Sequence, residues 1–146
     1  MEKIKRILVL VDGSDNSKRA LEYAAYMAQV SKASVDLLHV VNLGAEIASL
    51  TPVTSGYGPD QVAKDLEEAG AMILKEASIG FAVGTRVKAH LEIGVPTDVA
   101  LEFCEENKID LIVMGSRGLG FFKGLVLGSV SSYLVEHATC PVLVIK

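Results

Sequence analysis

Short apolar runs alternate with segments of helical period along the chain. Residues 7–11 (ILVLV) form a continuous apolar run rich in branched side chains, the pattern of a strand buried on both faces. Ser14 or Asp15 can cap a helix over 16–31, in which Ala20, Leu21, Ala24 and Ala28 share one face. Residues 34–41 (SVDLLHVV) read as a second strand, and Val62, Leu66, Ala69, Ile73 and Ala77 recur at helical spacing within 60–78. Residues 86–93 alternate, with Val87, Ala89, Leu91 and Ile93 opposed to Arg86, Lys88, His90 and Glu92, as in a half-exposed strand. A helix over 97–107, a strand over 110–114, a helix over 129–138 and a strand over 141–145 complete the order. Five strands alternating with four helices predict a single α/β domain built on a doubly wound, mostly parallel sheet.

Polarity also orders the strands. Interior strands of a parallel sheet covered on both faces must be apolar on both sides. The alternating third strand therefore belongs at an edge. The order 2-1-3-4-5 would bury Arg86, Lys88 and Glu92 under helices, at several kcal/mol each if unpaired. The order 3-2-1-4-5 avoids this and leaves the apolar fifth strand at the other edge. An uncovered apolar edge invites pairing, so Val142 to Ile145 is expected to meet the same strand of a second subunit.

Composition narrows the function classes. The 146 residues carry 14 Lys plus Arg against 18 Asp plus Glu, a net charge of −4, which argues against a dedicated nucleic-acid binder. The longest apolar run is six residues, Tyr23 to Ala28, against about 18 for a membrane span. Lys3, Lys5 and Arg6 before residues 7–11 imitate a signal peptide, but Asp12 ends the apolar stretch early and no small-residue cleavage site follows. Cys104 and Cys140 form no CxxC and no metal-ligand spacing, and read as buried small hydrophobes of a reduced, cytoplasmic protein. Residues 42–59, with Gly, Pro, Ser and Thr and no sustained period, read as one flexible loop: a lid, a binding loop or a surface insertion.

Candidate chemistry gathers where the predicted strand order reverses, beyond the carboxyl ends of strands 1 and 4. Strand 1 runs into Asp12-Gly13-Ser14. Strand 4 runs into a segment in which five of the 13 glycines fall between 115 and 128. Glycine permits unusual backbone angles and close approach to a ligand, and a helix starting near Ser129 adds free N–H groups and a positive dipole end. With Arg117 and Lys123 nearby, this describes an anion site suited to phosphate. No Walker A motif occurs. The Rossmann fingerprint fails at Lys123, in the third glycine position, and follows the wrong strand. His39, His90 and His137 are scattered without zinc spacing, and His39, inside a strand, reads as a satisfied core histidine. Ser14, Ser116 and Ser129 lack a histidine at a recognisable spacing, and Gly-x-Ser-x-Gly is absent.

At these residues the chain resembles the universal stress protein family, in its nucleotide-binding branch. The likeness spans nearly the whole length: ILVLVDGSDNSKRAL, LLHVV, the EIG-x-P turn at Glu92 to Pro96, DLIVMGSRG and EHATCPVLVIK. Most specific is Gly-x2-Gly-x9-Gly-Ser at Gly115, Gly118, Gly128 and Ser129. The resemblance implies a Rossmann-like fold of the adenine nucleotide alpha hydrolase type, binding ATP with or without Mg2+. It implies Asp12 near the ribose, and Leu10 and Val11 on the strand-1 side of the adenine pocket. Leu10 stands where many relatives have Pro. It further implies Val40 or its neighbour Val41 against adenine, and Met114 and Gly115 beside base and sugar. Gly118, Gly128, Ser129, Val130 and Ser131 would cradle the phosphates. A homodimer joined at the last strand follows from the resemblance as well as from the edge argument. The function implied is that of a nucleotide-responsive stress or signalling protein with slow or no hydrolysis, whose protein partner no residue names. One alternative is a nucleotide hydrolase of the related type, although its Ser-Gly-Gly-x-Asp-Ser loop is absent and DGSDNS only echoes it. Another is a nucleotide-free dimerising module.

Overall fold

A computed structural model describes residues 2–49, 58–118 and 127–146. Lys123, Gly120, Gly124 and most of the second half of the 42–59 stretch lie outside the described residues. The elements run β1 (Arg6–Leu10), α1 (Asp15–Ser31), β2 (Ser34–Val41), α2 (Leu43–Ser49), α3 (Pro59–Ser78), β3 (Val87–Ile93), α4 (Pro96–Asn107), β4 (Leu111–Gly115), α5 (Ser129–His137) and β5 (Val142–Ile145). All four strand pairings are parallel and the order is β3-β2-β1-β4-β5, so the alternating strand lies at one edge and the apolar last strand at the other.

Helices cover both faces. One face packs α1 and α3 on Ile7, Val9, Val35, Leu37, Val113 and Ile145; the other sets Leu8, Leu38 and Ile112 against Phe103 and Cys104 of α4 and Leu134 of α5. Leu8, Ile112 and Leu134 are fully enclosed, and each such side chain stabilises the fold by roughly 1.5–3 kcal/mol. α1 presents Ala20, Ala24 and Ala28 inward, small residues that bring its axis close to the sheet. Ser14 caps it, its Oγ accepting the Ser17 N–H at 3.2 Å.

Three details differ from the pattern in the sequence. The stretch after β2 is not loop throughout: α2 occupies its first part, and α3 starts at Pro59, a residue suited to the first turn of a helix. A seven-residue helix is too short to show a period. Ala89 and Ile93, on the apolar side of β3, are exposed, Ile93 by 51%, because this is the outer strand of the sheet. Cys140 is only partly buried.

The end of the sheet away from the strand carboxyl termini holds a polar knot. Asp36, in the middle of an apolar strand, is 2% exposed and accepts from Arg6 Nε at 2.6 Å and Nη2 at 3.0 Å. His90, scattered and partnerless in the sequence, lies 2.8 Å from Asp36 Oδ1 through Nε2, its ring edge-on to Phe103. Arg6 Nη1 also donates to the Asn107 carbonyl at 3.1 Å, tying β1 to the end of α4. Nearby, Asp110 Oδ2 accepts the Lys5 and Arg6 N–H groups at 2.8 and 2.9 Å.

Burial pushes the Asp36 carboxyl up, but the hydrogen bonds from Arg6 and His90 outweigh it and hold the group below its ordinary value. A carboxyl depressed in the folded state contributes stability in full above its unfolded value of about 3.9, and that contribution is lost as pH falls through the folded value. The urea midpoint is therefore expected to stay level from about pH 7 to 5 and to fall below about pH 4. Asp36→Asn should cost about 2 kcal/mol at neutral pH, less than the roughly 3–5 of a fully buried pair, because Arg6 keeps 31% of its side chain in solvent. The same variant should lose part of the acid-side fall. Equal acid slopes in variant and parent would reject this account.

Candidate functional site

A cleft opens between β1 and β4. Their pairing ends at Val9↔Val113, and beyond it each strand keeps only its outer neighbour. Val11 donates to the Leu38 carbonyl of β2 at 3.0 Å, while Ser116 donates to the Ile145 carbonyl of β5 at 2.7 Å. The chains thus part at the switch point, leaving a cavity of about 330 Å³, within the usual range of small-ligand pockets.

One wall comes from the turn after β1. Leu10 and Val11 lead into Asp12, whose Oδ1 accepts the Ser14 N–H at 2.9 Å and whose N–H reaches Ser17 Oγ at 3.2 Å. Gly13 holds φ at +82°, a conformation that favours glycine, so the chain reverses directly from strand to helix. Val40 and Leu38 line the pocket from β2, and Pro96 from the first turn of α4. The opposite wall is Met114, Gly115, Arg117 and Gly118, closed by Gly128, Ser129, Val130 and Ser131 at the start of α5.

The residues expected at the site therefore line this one cavity, except Lys123, which lies outside the described residues, and Val41, the alternative to Val40, which is buried and not part of the lining. Ser14, Ser17, Leu38, His39 and Pro96 also line it. Pro96 was visible only as part of a turn motif. Ser17 carried no signal, because its place depends on how α1 docks.

The glycines serve a purpose different from the one their count suggests. Among the described glycines, positive φ occurs at Gly13, Gly84 and Gly94, and not at Gly115, Gly118 or Gly128. Close approach to backbone is what Gly115 needs, whereas a Cβ at Gly128 would meet only ordinary contacts. A Cβ at Gly115 would lie 2.8 Å from Asn16 Cβ and 2.9 Å from the Asn16 carbonyl carbon, so β4 and the first turn of α1 touch backbone to backbone. A Cβ at Gly118 would lie 2.6 Å from Asp12 Oδ2 across the cleft.

Electrostatically the two walls differ. Asp12 supplies a carboxylate on one side, and the start of α5 supplies backbone N–H groups on the other. Gly128 is the N-cap of that helix and makes no side-chain cap, so the first-turn N–H groups are not taken by a capping side chain. The segment is held in place from within: the Gly128 N–H donates to the Ser116 carbonyl at 2.6 Å, and Ser131 Oγ lies 2.8 Å from the same carbonyl. Ser131 thus fixes the curve of the wall with its hydroxyl. His39 is tied down as well, its Nδ1 2.7 Å from the Val11 carbonyl and its ring against Gly70 of α3, where a Cβ would approach within 2.7 Å. Among the described residues no cluster of three or more His, Cys, Asp or Glu could hold a metal ion, and no helix is long and apolar enough to cross a membrane.

Residues 3–146 match the model of the Universal stress protein family. The chain belongs to that family. It is similar to the universal stress protein YxiE of Bacillus subtilis, 34% identical over 97% of this chain and 98% of that protein. Among solved structures it resembles the universal stress protein UspA from Lactobacillus plantarum, 28% identical over the full length of both chains with a TM-score of 0.77. It also resembles a universal stress protein family protein from Arabidopsis thaliana with AMP bound, 26% identical over 97% of this chain and 91% of that one, with a TM-score of 0.65.

Gly115→Ala is expected to destabilise the protein by about 1–3 kcal/mol, because the clash is with helix backbone that cannot rotate away. Chemical denaturation measures this, and an unchanged midpoint would show that α1 does not approach β4 as closely as described.

Proposed function

We propose that this chain is an ATP-binding member of its family: a cytoplasmic, nucleotide-responsive stress or signalling protein that works as a homodimer, with slow or no hydrolysis. The observation that carries the reading is the asymmetry of the cleft, with apolar side chains at one end and uncapped helix N–H groups at the other. Leu10, Val40 and Met114 would flank an adenine, and Asp12 would accept hydrogen bonds from ribose hydroxyls. Gly118, Gly128 and the N–H groups of Ser129 and Val130 would meet phosphate oxygens, with Arg117 near the same wall. Adenine nucleotide is the ligand class that such a cleft suits, and the AMP bound to the Arabidopsis relative supports it. Magnesium would be held by the phosphates with at most one carboxylate, Asp12, as is usual for that ion.

The described lining of the phosphate end supports the reading of slow turnover. Rapid hydrolysis needs a base or a water-positioning group there. His39, the histidine in the lining, is committed to the Val11 carbonyl and packed on α3. The dimer reading rests on β5. Ile112 donates to the Pro141 carbonyl and Ser116 to the Ile145 carbonyl, so alternation along the strand turns the N–H and C=O groups of Val142 and Val144 outward. Outward backbone groups on an apolar edge suit a second copy of the same strand.

Three measurements test these readings. A Cβ at Gly128 would sit 3.4 Å from the Ser116 carbonyl and 3.5 Å from Arg117 Cα, so the methyls of Gly128→Val would fill the phosphate end. Calorimetry should show ATP affinity falling roughly 100-fold or more, about 2.7 kcal/mol, with the circular dichroism unchanged. Parent protein purified gently should release AMP or ATP in a native mass spectrum. Retained affinity in the variant would move the site elsewhere. For the dimer, Val144→Pro removes one outward N–H and leaves the inner ladder whole. Sedimentation should then report monomers, and a persistent dimer would place the interface on another surface.

A further inference from the structure

A second cavity, of about 420 Å³, lies between the first turns of α1 and the last turns of α3, on the face of the sheet opposite α4 and α5. Its size is within the range of small-ligand pockets. The lining is apolar at depth: Val11 and Ala77 are almost wholly enclosed, and Leu21 and Ile73 line it from the two helices. Ile73 meets the β1–α1 turn, since a Cβ at Gly13 would lie 3.3 Å from Ile73 Cδ1. Away from that contact the space stays open, because Ala77 and Gly80 offer little side chain to fill it. Val11, Asp12 and Ser17 line both this cavity and the cleft between β1 and β4, so the turn is a partition between two separate sites.

The rim has a sign. Glu22 of α1 and Glu76 of α3, both exposed, line the cavity from opposite helices, and Asp12 stands in the partition. Lys18 is the one basic residue in the lining; Lys75 lies in the last turn of α3 but outside it. Among the described residues none of Lys18, Glu22 and Glu76 is held in an ion pair. The C-terminal end of α3 adds the negative end of a helix dipole on the same side. Three carboxylates against one ammonium, around an apolar interior, suit a molecule with an apolar body and a single positive charge.

We propose that this cavity is a second ligand site, distinct from the cleft, for a small amphiphilic amine. Its apolar body would lie among Leu21, Ile73 and Ala77, with its ammonium group between Glu22 and Glu76. Exposed ion pairs are weak, so burial of the apolar body supplies most of the affinity and the charge supplies the selectivity. An anion would meet the carboxylates, and a neutral molecule of the same shape would forgo the ion pairs. The assignment does not depend on what the cleft holds.

Titration of the isotope-labelled chain with phenethylamine, followed by amide NMR, tests this. Leu21, Glu22, Ala77 and Gly80 line the second cavity and not the cleft, so their amides are the reporters. Their shifts should move and saturate. Phenethyl alcohol, the neutral counterpart, should bind about fivefold more weakly, and the anion hydrocinnamate should leave the reporters unmoved. Combining Glu22→Gln with Glu76→Gln, both at exposed positions, should erase the preference for amine over alcohol. Leu21→Trp, which fills the cavity, should abolish the saturable shifts. Reporters that stay still with phenethylamine, or respond equally to hydrocinnamate, overturn the proposal. So does an amine preference that survives the double variant, or saturable shifts confined to Gly118, Gly128 and Val130, which would put the amine in the cleft. The double variant decides even if Leu21→Trp folds poorly.

Discussion

The short pairing of β1 with β4 governs the rest of the structure. These two central strands share a register from Ile7↔Leu111 to Val9↔Val113 and then separate, because β1 continues along β2 and β4 continues along β5. Backbone groups past that point cannot satisfy one another across the gap. They are met by the outer strands or by the turns that follow. The cleft is therefore a consequence of sheet topology, and its lining comes from whatever follows the two strands: Asp12 to Ser14 on one side, Gly115 to Gly118 on the other. Helix α5 then returns its N-terminus to the same place. A parallel sheet with its order reversed at this point has no other way to end.

Close approach is the second theme. α1 is drawn onto the sheet by alanines, and the contact is tight enough that Gly115 meets the backbone of Asn16. Gly70 does the same for His39 on α3. These glycines are packing residues, and the cleft keeps its width because its walls are braced from behind. The braces are short hydrogen bonds, Gly128 and Ser131 to the Ser116 carbonyl and His39 to Val11. At the far end of the sheet, Asp36, Arg6 and His90 join the first three strands of the chain to one another, well away from the cleft.

Much of this was legible in the residues. The five strands, the helices between them and the edge position of β3 all follow from local period and polarity, which act within a few residues of chain. The residues lining the cleft were legible because topology places strand carboxyl ends together, and because Gly115, Gly118, Gly128 and Ser129 form a recognisable spacing. What escaped depends on partners distant in sequence. A lone Asp36 in SVDLLHVV gives no sign of Arg6 or His90, and Ser17 enters the cleft lining only because α1 lies where it does. The helix α2 escaped for another reason, being too short for a period.

The sequence by itself determined the class of fold, the strand order and the segments that meet at the switch point, because burial of apolar runs and the cost of burying charge leave little choice among parallel sheets. Only the tertiary structure decided why Gly115 is needed and how the histidines are satisfied. Those are matters of distance between elements. Close packing sets such distances to fractions of an ångström, and no pattern along a single strand or helix contains them.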